Sequence, residues 1–187
     1  MAITGASGGV GSAAVALCKA LGCRVIALTS SEDKAAFVES LGADATVVVQ
    51  RESGGDGIAS FHREIRQAAQ GGVDMVIECV GTPSTFSSSL RSLRPEGRLV
   101  LVGNVENSVA GFPLGLAILN SLSVVGSDSV SAAGLERCLK FLQKHEIRPE
   151  VERIDPLSRE AAVSAHEDLE SRGVRGRIVL RCREEGW

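Results

Sequence analysis

The amino-acid sequence predicts an α/β fold: a doubly wound parallel sheet of six strands in the order 3-2-1-4-5-6, followed by a small α+β appendage. Three observations predict it. Short runs rich in β-branched residues alternate with longer stretches of helical periodicity. Glycines stand at the expected ends of helices, at Gly22, Gly42, Gly71, Gly72 and Gly97, where a left-handed cap residue is wanted. A glycine-rich turn, Ala6-Ser7-Gly8-Gly9-Val10-Gly11, separates the first strand from the first helix.

Taken in order, the first strand covers 2–4 and the first helix, 10–21, begins inside the glycine turn. Strand 24–28 and helix 32–41 follow, then strand 45–49 and helix 57–70. Strands at 74–79, 98–102 and 122–125 complete the sheet, with helices at 85–93 and 114–120 between them. Their near-continuous apolar character suits strands buried on both faces. Right-handed crossovers place the ligand crevice between the first and fourth strands. Past Gly126 the pattern changes to helix 132–144, strand 151–154, helix 158–171 and strand 177–180. The expected division is a nucleotide-binding domain over 1–127 and a C-terminal segment over 128–187, the latter too small to enclose a core alone.

Composition narrows the function classes. With 44% hydrophobic and 23% charged residues, the chain reads as an ordinary globular protein. A net charge of −3 supplies no footprint for nucleic acid or an anionic membrane, so neither is an expected partner. Five widely spaced cysteines without a Cys-x-x-Cys pair read as reduced thiols in a cytoplasmic protein and offer no structural zinc lobe.

The glycine turn carries the chemistry. Glycines let the backbone approach a pyrophosphate, and free N–H groups at the helix start face its charge. Ser7, Gly8, Gly9 and Val10 are the expected contacts. Where an acid at the tip of the second strand would grip both ribose hydroxyls, this chain has Thr29, Ser30 and Ser31, then Lys34. Hydroxyls with an ammonium suit a 2′-phosphate, which favours NADP(H) over NAD(H). Ser31 also reads as a plain N-cap over a solvated first turn. His62, His145 and His166 lack ligand spacing, and no metal site is expected. Glu78 reads as a paired acid near the adenosine side, and Cys79 as a small core residue. Asp128 follows the last sheet strand, where a substrate contact is conceivable. Arg148, Arg153, Arg172, Arg175 and Arg177 read as a solvated basic face.

The string Thr4-Gly5-Ala6-Ser7-Gly8-Gly9-Val10-Gly11 also fits the T-G-x-x-x-G-x-G pattern of short-chain dehydrogenases, but their catalytic tyrosine has no counterpart, because the chain contains none. The whole run instead resembles the coenzyme domain of the medium-chain dehydrogenase/reductase superfamily. The resemblance rests on that glycine string, Lys19-Ala20-Leu21-Gly22, Leu41-Gly42-Ala43-Asp44, the run from Gly97 to Asn104, the run from Leu122 to Ser127, and Gly176 to Leu180. It looks closest to the acryloyl-CoA reductase, quinone-oxidoreductase-like and zinc-type alcohol dehydrogenase branches. The resemblance implies a Rossmann fold, pyrophosphate contacts at Ser7 to Val10, and 2′-phosphate contacts at Ser30 and Lys34. It further implies adenosine-side packing at Val80 and Gly81, nicotinamide-side backbone contacts at Val102, Gly103 and Asn104, and a late cationic contact from Arg177. The tyrosine that quinone oxidoreductases place after the third strand falls near Gln50 and Arg51 here. Superfamily members carry a catalytic domain ahead of the glycine turn. The sequence in hand has no counterpart of it, and 128–187 is expected to be the half that returns to complete that domain.

Two readings follow. One is an NADP(H)-dependent oxidoreductase, a fragment or truncated form, passing hydride to a small-molecule carbonyl or activated C=C such as a quinone, enal or enoyl-CoA. Its catalytic residues are not legible. The other is a non-catalytic NADP(H)-binding module or sensor subunit. Either is expected to form a homodimer through the edge strand that holds Leu122 and Val125.

Overall fold

A computed structural model describes residues 1–49, 59–106, 108 and 111–182. The sheet contains β1 (Ala2–Ile3), β2 (Ile26–Thr29), β3 (Ala45–Val48), β4 (Val73–Glu78), β5 (Leu93–Leu101) and β6 (Ser123–Gly126). All neighbours are parallel, and the order is β3-β2-β1-β4-β5-β6, as the alternation of elements requires. Between the strands run α1 (Gly9–Ala20), α2 (Glu32–Ser40), α3 (His62–Ala68), α4 (Pro83–Ser92) and α5 (Leu114–Leu119).

The double winding follows from the two-residue period of the strands. Ala2, Ile26, Leu28 and Val76 point to one side, where they join Ile65 of α3 with Phe86 and Leu90 of α4. Their alternates, Ile3, Val25 and Ala27, point to the other side, against Val15 and Cys18 of α1 and Val38 of α2. Each fully buried Val, Leu or Ile contributes about 1.5–3 kcal/mol. Strand and helix faces therefore specify each other, and the sheet's carboxyl edge is left as the place where loops can hold a ligand.

Boundaries moved where local chemistry outweighed periodicity. The fourth helix starts at Pro83, not Thr85, because Thr82 caps it in a reciprocal capping box with Thr85. Gly97 is not a helix cap: the helix ends at Ser92 and the chain enters β5 at once, with Glu96 taking the left-handed conformation at φ 64°. Gly22, Gly42 and Gly71 do adopt positive φ at helix ends. The expected start of the third helix, Gly57, and the Gln50 and Arg51 positions lie outside the described residues.

After β6 come α6 (Ala132–Lys144), β7 (Val151–Pro156), α7 (Arg159–Glu170) and β8 (Arg177–Arg181), with β7 and β8 pairing in parallel as a separate sheet. Among the described residues Ala165 is the one buried apolar side chain past Leu99, whereas Leu135, Leu139, Ile154, Leu157 and Val163 are exposed. Arg153 is not simply solvated: it pairs with Asp155 and Asp168, both at 2.7 Å. Among the described residues no helix is long and apolar enough to cross a membrane.

The start of β2 depends on Asp44. Its carboxylate accepts from Lys19 Nζ at 2.8 Å and from the Val25 amide at 2.7 Å. The Lys19 hydrogen bond first, and the Val25 amide second, hold the Asp44 carboxyl below the usual carboxylate range. A carboxyl lowered by folding stabilises the fold above its unfolded pKa of about 3.9, and that contribution is lost as pH falls through the lower folded value. Asp44→Ala is expected to cost about 1 kcal/mol at neutral pH in urea denaturation. The gap to the parent should close in acid, below about pH 3.

Candidate functional site

The glycine turn is built by close approach. Gly5 sits at φ +56°, and a Cβ on Gly11 would stand 2.2 Å from the Gly5 carbonyl oxygen, so helix and turn meet only with glycine there. Gly8, in extended conformation, is the N-cap of α1, with no side-chain cap and no acid in the first turn. The first amides of a helix have no intrahelical acceptor, and here no side chain caps them. The turn is also tied from behind: the Gly176 amide donates to Ser7 O at 2.8 Å, forming a bridge between Gly8 and Gly176. From the same segment Arg177 folds over Gly9, whose added Cβ would lie 2.7 Å from Arg177 Cγ and 3.0 Å from Cζ. A cation is thus parked at the positive end of a helix.

Beside the turn lies a wholly buried acid. Glu78 Oε1 accepts from Thr4 Oγ1 at 2.8 Å, the Val80 amide at 2.8 Å and the Gly81 amide at 3.0 Å, and Oε2 accepts from Ser89 Oγ at 3.0 Å. Its partners are hydroxyls and amides, not the cation that "paired acid" suggests. Thr4 completes the junction by accepting from the Cys79 amide at 2.9 Å. Next door, Gly81 and Gly103 touch: a Cβ on Gly81 would stand 2.2 Å from Gly103 O. The neighbouring Cys79 thiol is pushed up to about 12, by burial first and by the Glu78 charge second. It is no thiolate nucleophile at neutral pH.

This junction divides the expected site residues between two cavities at the sheet's carboxyl edge. The first, about 530 Å³, takes Ser7, Gly8, Gly9, Ser30, Lys34 and Val80. The second, about 640 Å³, takes Gly81, Val102, Gly103 and Asn104, together with Asp128 and Glu78. Val10 is exposed on the first turn of α1, and Arg177 reaches the first cavity's edge through Gly9.

At the tip of β2 the N-cap reading of Ser31 holds. Ser31 caps α2 by accepting from the Lys34 amide, while Ser30 and the Lys34 side chain line the first cavity. Lys34 Nζ donates to the Arg172 carbonyl. Burial first, and the Arg172 charge second, lower the Lys34 ammonium from its ordinary range. The loop that brings Arg172, running from α7 to β8, was missed by sequence reasoning, yet Leu169, Ser171, Arg172, Val174 and Gly176 line the same cavity. The basic face is exposed there but not free of contacts: Arg172 lines the cavity's edge, and Arg175 pairs with Glu152 and lies 5.9 Å over the Phe37 ring. The recurrent Gly-x-x-Gly spacing from Gly173 to Gly176 was the available signal, since it marks a loop able to approach another backbone.

Residues 9–144 match the profile of the family described as zinc-binding dehydrogenase. An acryloyl-coenzyme A reductase of Sulfurisphaera tokodaii is 40% identical over 148 residues, which are 79% of this chain and 40% of that protein. A crystal structure of an NAD-dependent alcohol dehydrogenase superposes with TM-score 0.83 at 31% identity, over 97% of this chain and 50% of that one. Mycobacterial Rv1454c complexed with NADPH gives TM-score 0.80 at 26% identity, over 96% and 55%. The chain spans about three tenths to half the length of the curated relatives it matches. Among the described residues no three His, Cys, Asp or Glu side chains gather where they could hold a metal ion, so the described part does not fit the zinc of the family's name.

Two outcomes test this junction. Glu78→Leu leaves the Thr4 and Ser89 hydroxyls and the Val80 and Gly81 amides without their acceptor, and is expected to cost about 2–4 kcal/mol in chemical denaturation. In an alkylation map at pH 7.5, exposed Cys182 should be labelled at least about tenfold faster than Cys79.

Proposed function

Since the chain belongs to the zinc-binding dehydrogenase family of the medium-chain dehydrogenase/reductase superfamily, we propose that it is the NADP(H)-binding unit of an oxidoreductase. The observation that carries this reading is the placement of charge. Arg177 lies at the N-terminus of α1, where the helix dipole repels a cation, and Lys34 and Arg172 crowd together on the far side of the same cavity. Two phosphate groups, a diphosphate at the first place and a 2′-phosphate at the second, offset both repulsions. The residues fit such a group: a Cβ on Gly11 would strike the turn backbone, no side chain caps the start of α1, and Gly8 and Gly9 line the same cavity as Ser30 and Lys34.

When bound, the nicotinamide supplies hydride chemistry. In this chain Ser7 to Val10 hold the diphosphate, Ser30 and Lys34 hold the 2′-phosphate, and Val80 packs at the adenosine side. Gly81 with Val102, Gly103 and Asn104 orients the nicotinamide end in the second cavity, on backbone that the Glu78 network keeps in place. The acceptor is a small molecule with a carbonyl or activated C=C, a class to which the acyl-CoA named for the Sulfurisphaera relative belongs. Residues 1–127 form the nucleotide domain, and 128–187 belong with a catalytic domain whose remainder covers the exposed Leu135, Leu139 and Ile154. The open edge of β6, with Val125 exposed, pairs across a two-fold axis in a homodimer.

Fluorescence titration separates the two phosphate sites. Lys34→Ala is expected to raise the Kd for NADPH about tenfold, roughly 1.4 kcal/mol, and to leave NADH within about twofold. Arg177→Ala should weaken both nucleotides by a similar factor, because both carry the diphosphate. Binding of neither nucleotide by the unaltered chain would end this reading. Turnover with quinones, enals or enoyl-CoA thioesters then decides between an enzyme and a binding module.

A further inference from the structure

Lys34 is a flexible side chain, and an ammonium on a four-carbon stem loses rotamer freedom when fixed. In this structure something fixes it: the backbone carbonyl of Arg172, on the loop between α7 and β8. That carbonyl takes one of the three ammonium protons and leaves two for the cavity. Its own position is determined by the loop. Arg172 stands at φ 58°, in the left-handed region, after the α7 cap residue Ser171, and its amide donates to Leu169 O at 3.0 Å. Two further contacts tie the loop to the nucleotide side: the Arg175 guanidinium lies over Phe37 of α2, and the Gly176 amide donates to Ser7 O. A third ties it to β7, where the Arg175 amide donates to Glu152 at 2.9 Å.

We propose that this loop is the positioning element for Lys34: the Arg172 carbonyl aims the ammonium into the first cavity and thereby sets the preference for a 2′-phosphorylated nucleotide. The proposal rests on the NADP(H) reading above and goes beyond it, because it assigns coenzyme selectivity to a backbone atom from the C-terminal segment. The Arg172 guanidinium, on an exposed residue, is secondary.

The test is the ratio of NADH to NADPH dissociation constants, measured on the full chain and its variants. Glycine keeps both the left-handed conformation and the carbonyl, whereas proline forbids positive φ. Arg172→Gly is therefore expected to hold the ratio within about threefold of the parent. Arg172→Pro should lower it about fivefold to tenfold, through NADPH alone and no further than Lys34→Ala does. In a Lys34→Ala background Arg172→Pro should lower it no further, since the loop acts through Lys34. A folded Arg172→Pro variant with the parent ratio overturns the proposal. So does Arg172→Gly falling as far as Arg172→Pro, which would assign the effect to the guanidinium. Should the proline variant fail to fold, Arg175→Ala, which takes the guanidinium away from Phe37 and from Glu152, is expected to lower the ratio about threefold, and an unchanged ratio there overturns the proposal. A parent chain that binds both nucleotides equally removes the 2′-phosphate reading itself, and the proposal with it.

Discussion

One buried carboxylate organises the crevice. Glu78 sits at the carboxyl end of β4, at the switch point beside β1, with no exposed surface. Burying an acid costs several kcal/mol unless its oxygens are satisfied. Here donors from β1 (through Thr4), from the turn after β4 and from α4 all converge on it. Because the four donors come from three segments, satisfying the acid fixes those segments relative to one another. The turn at Val80 and Gly81 is then stiff enough for Gly81 to pass against Gly103, and the two cavities acquire a common rigid wall. Pre-organised backbone of this kind orients a ligand without having to reorganise when it arrives.

The second structural theme is division of labour between the halves of the chain. The glycine turn supplies amides, but its far side is held by Gly176 and its mouth is covered by Arg177, both from the C-terminal segment. That segment buries little of its own apolar surface, so its order depends on what it docks against. Glycine turn and C-terminal segment are thus coupled through a few contacts, not through a shared core.

Much of this was legible in the sequence, for physical reasons. Strand alternation at Ala2, Ile3, Ile26 and Ala27, with glycines at helix ends, carries the sheet order because parallel strands need buried faces and capped crossovers. The place of Ser30 and Lys34 at the crevice was legible because the second strand ends at the sheet's carboxyl edge, and both line the first cavity there. The Arg172 loop was not legible. Its contacts with Lys34, Phe37 and Ser7 span well over a hundred residues of chain, and nothing in a local pattern of arginines separates a solvated face from a docked one. Glu78 was placed correctly at the strand tip, but its hydroxyl and amide partners come from positions scattered over Thr4 to Ser89 and leave no spacing to read.

The central claim is that the helix-start amides of α1 grip a nicotinamide nucleotide through its diphosphate. Amide chemical-shift mapping by NMR, with NADPH titrated into the isotopically labelled chain, addresses those atoms directly. The account predicts that the Ser7, Gly8, Gly9 and Val10 amides shift together and saturate with one dissociation constant, with Val80 and Gly81 following. Saturable shifts confined to other surfaces, with the glycine turn unmoved, would contradict it.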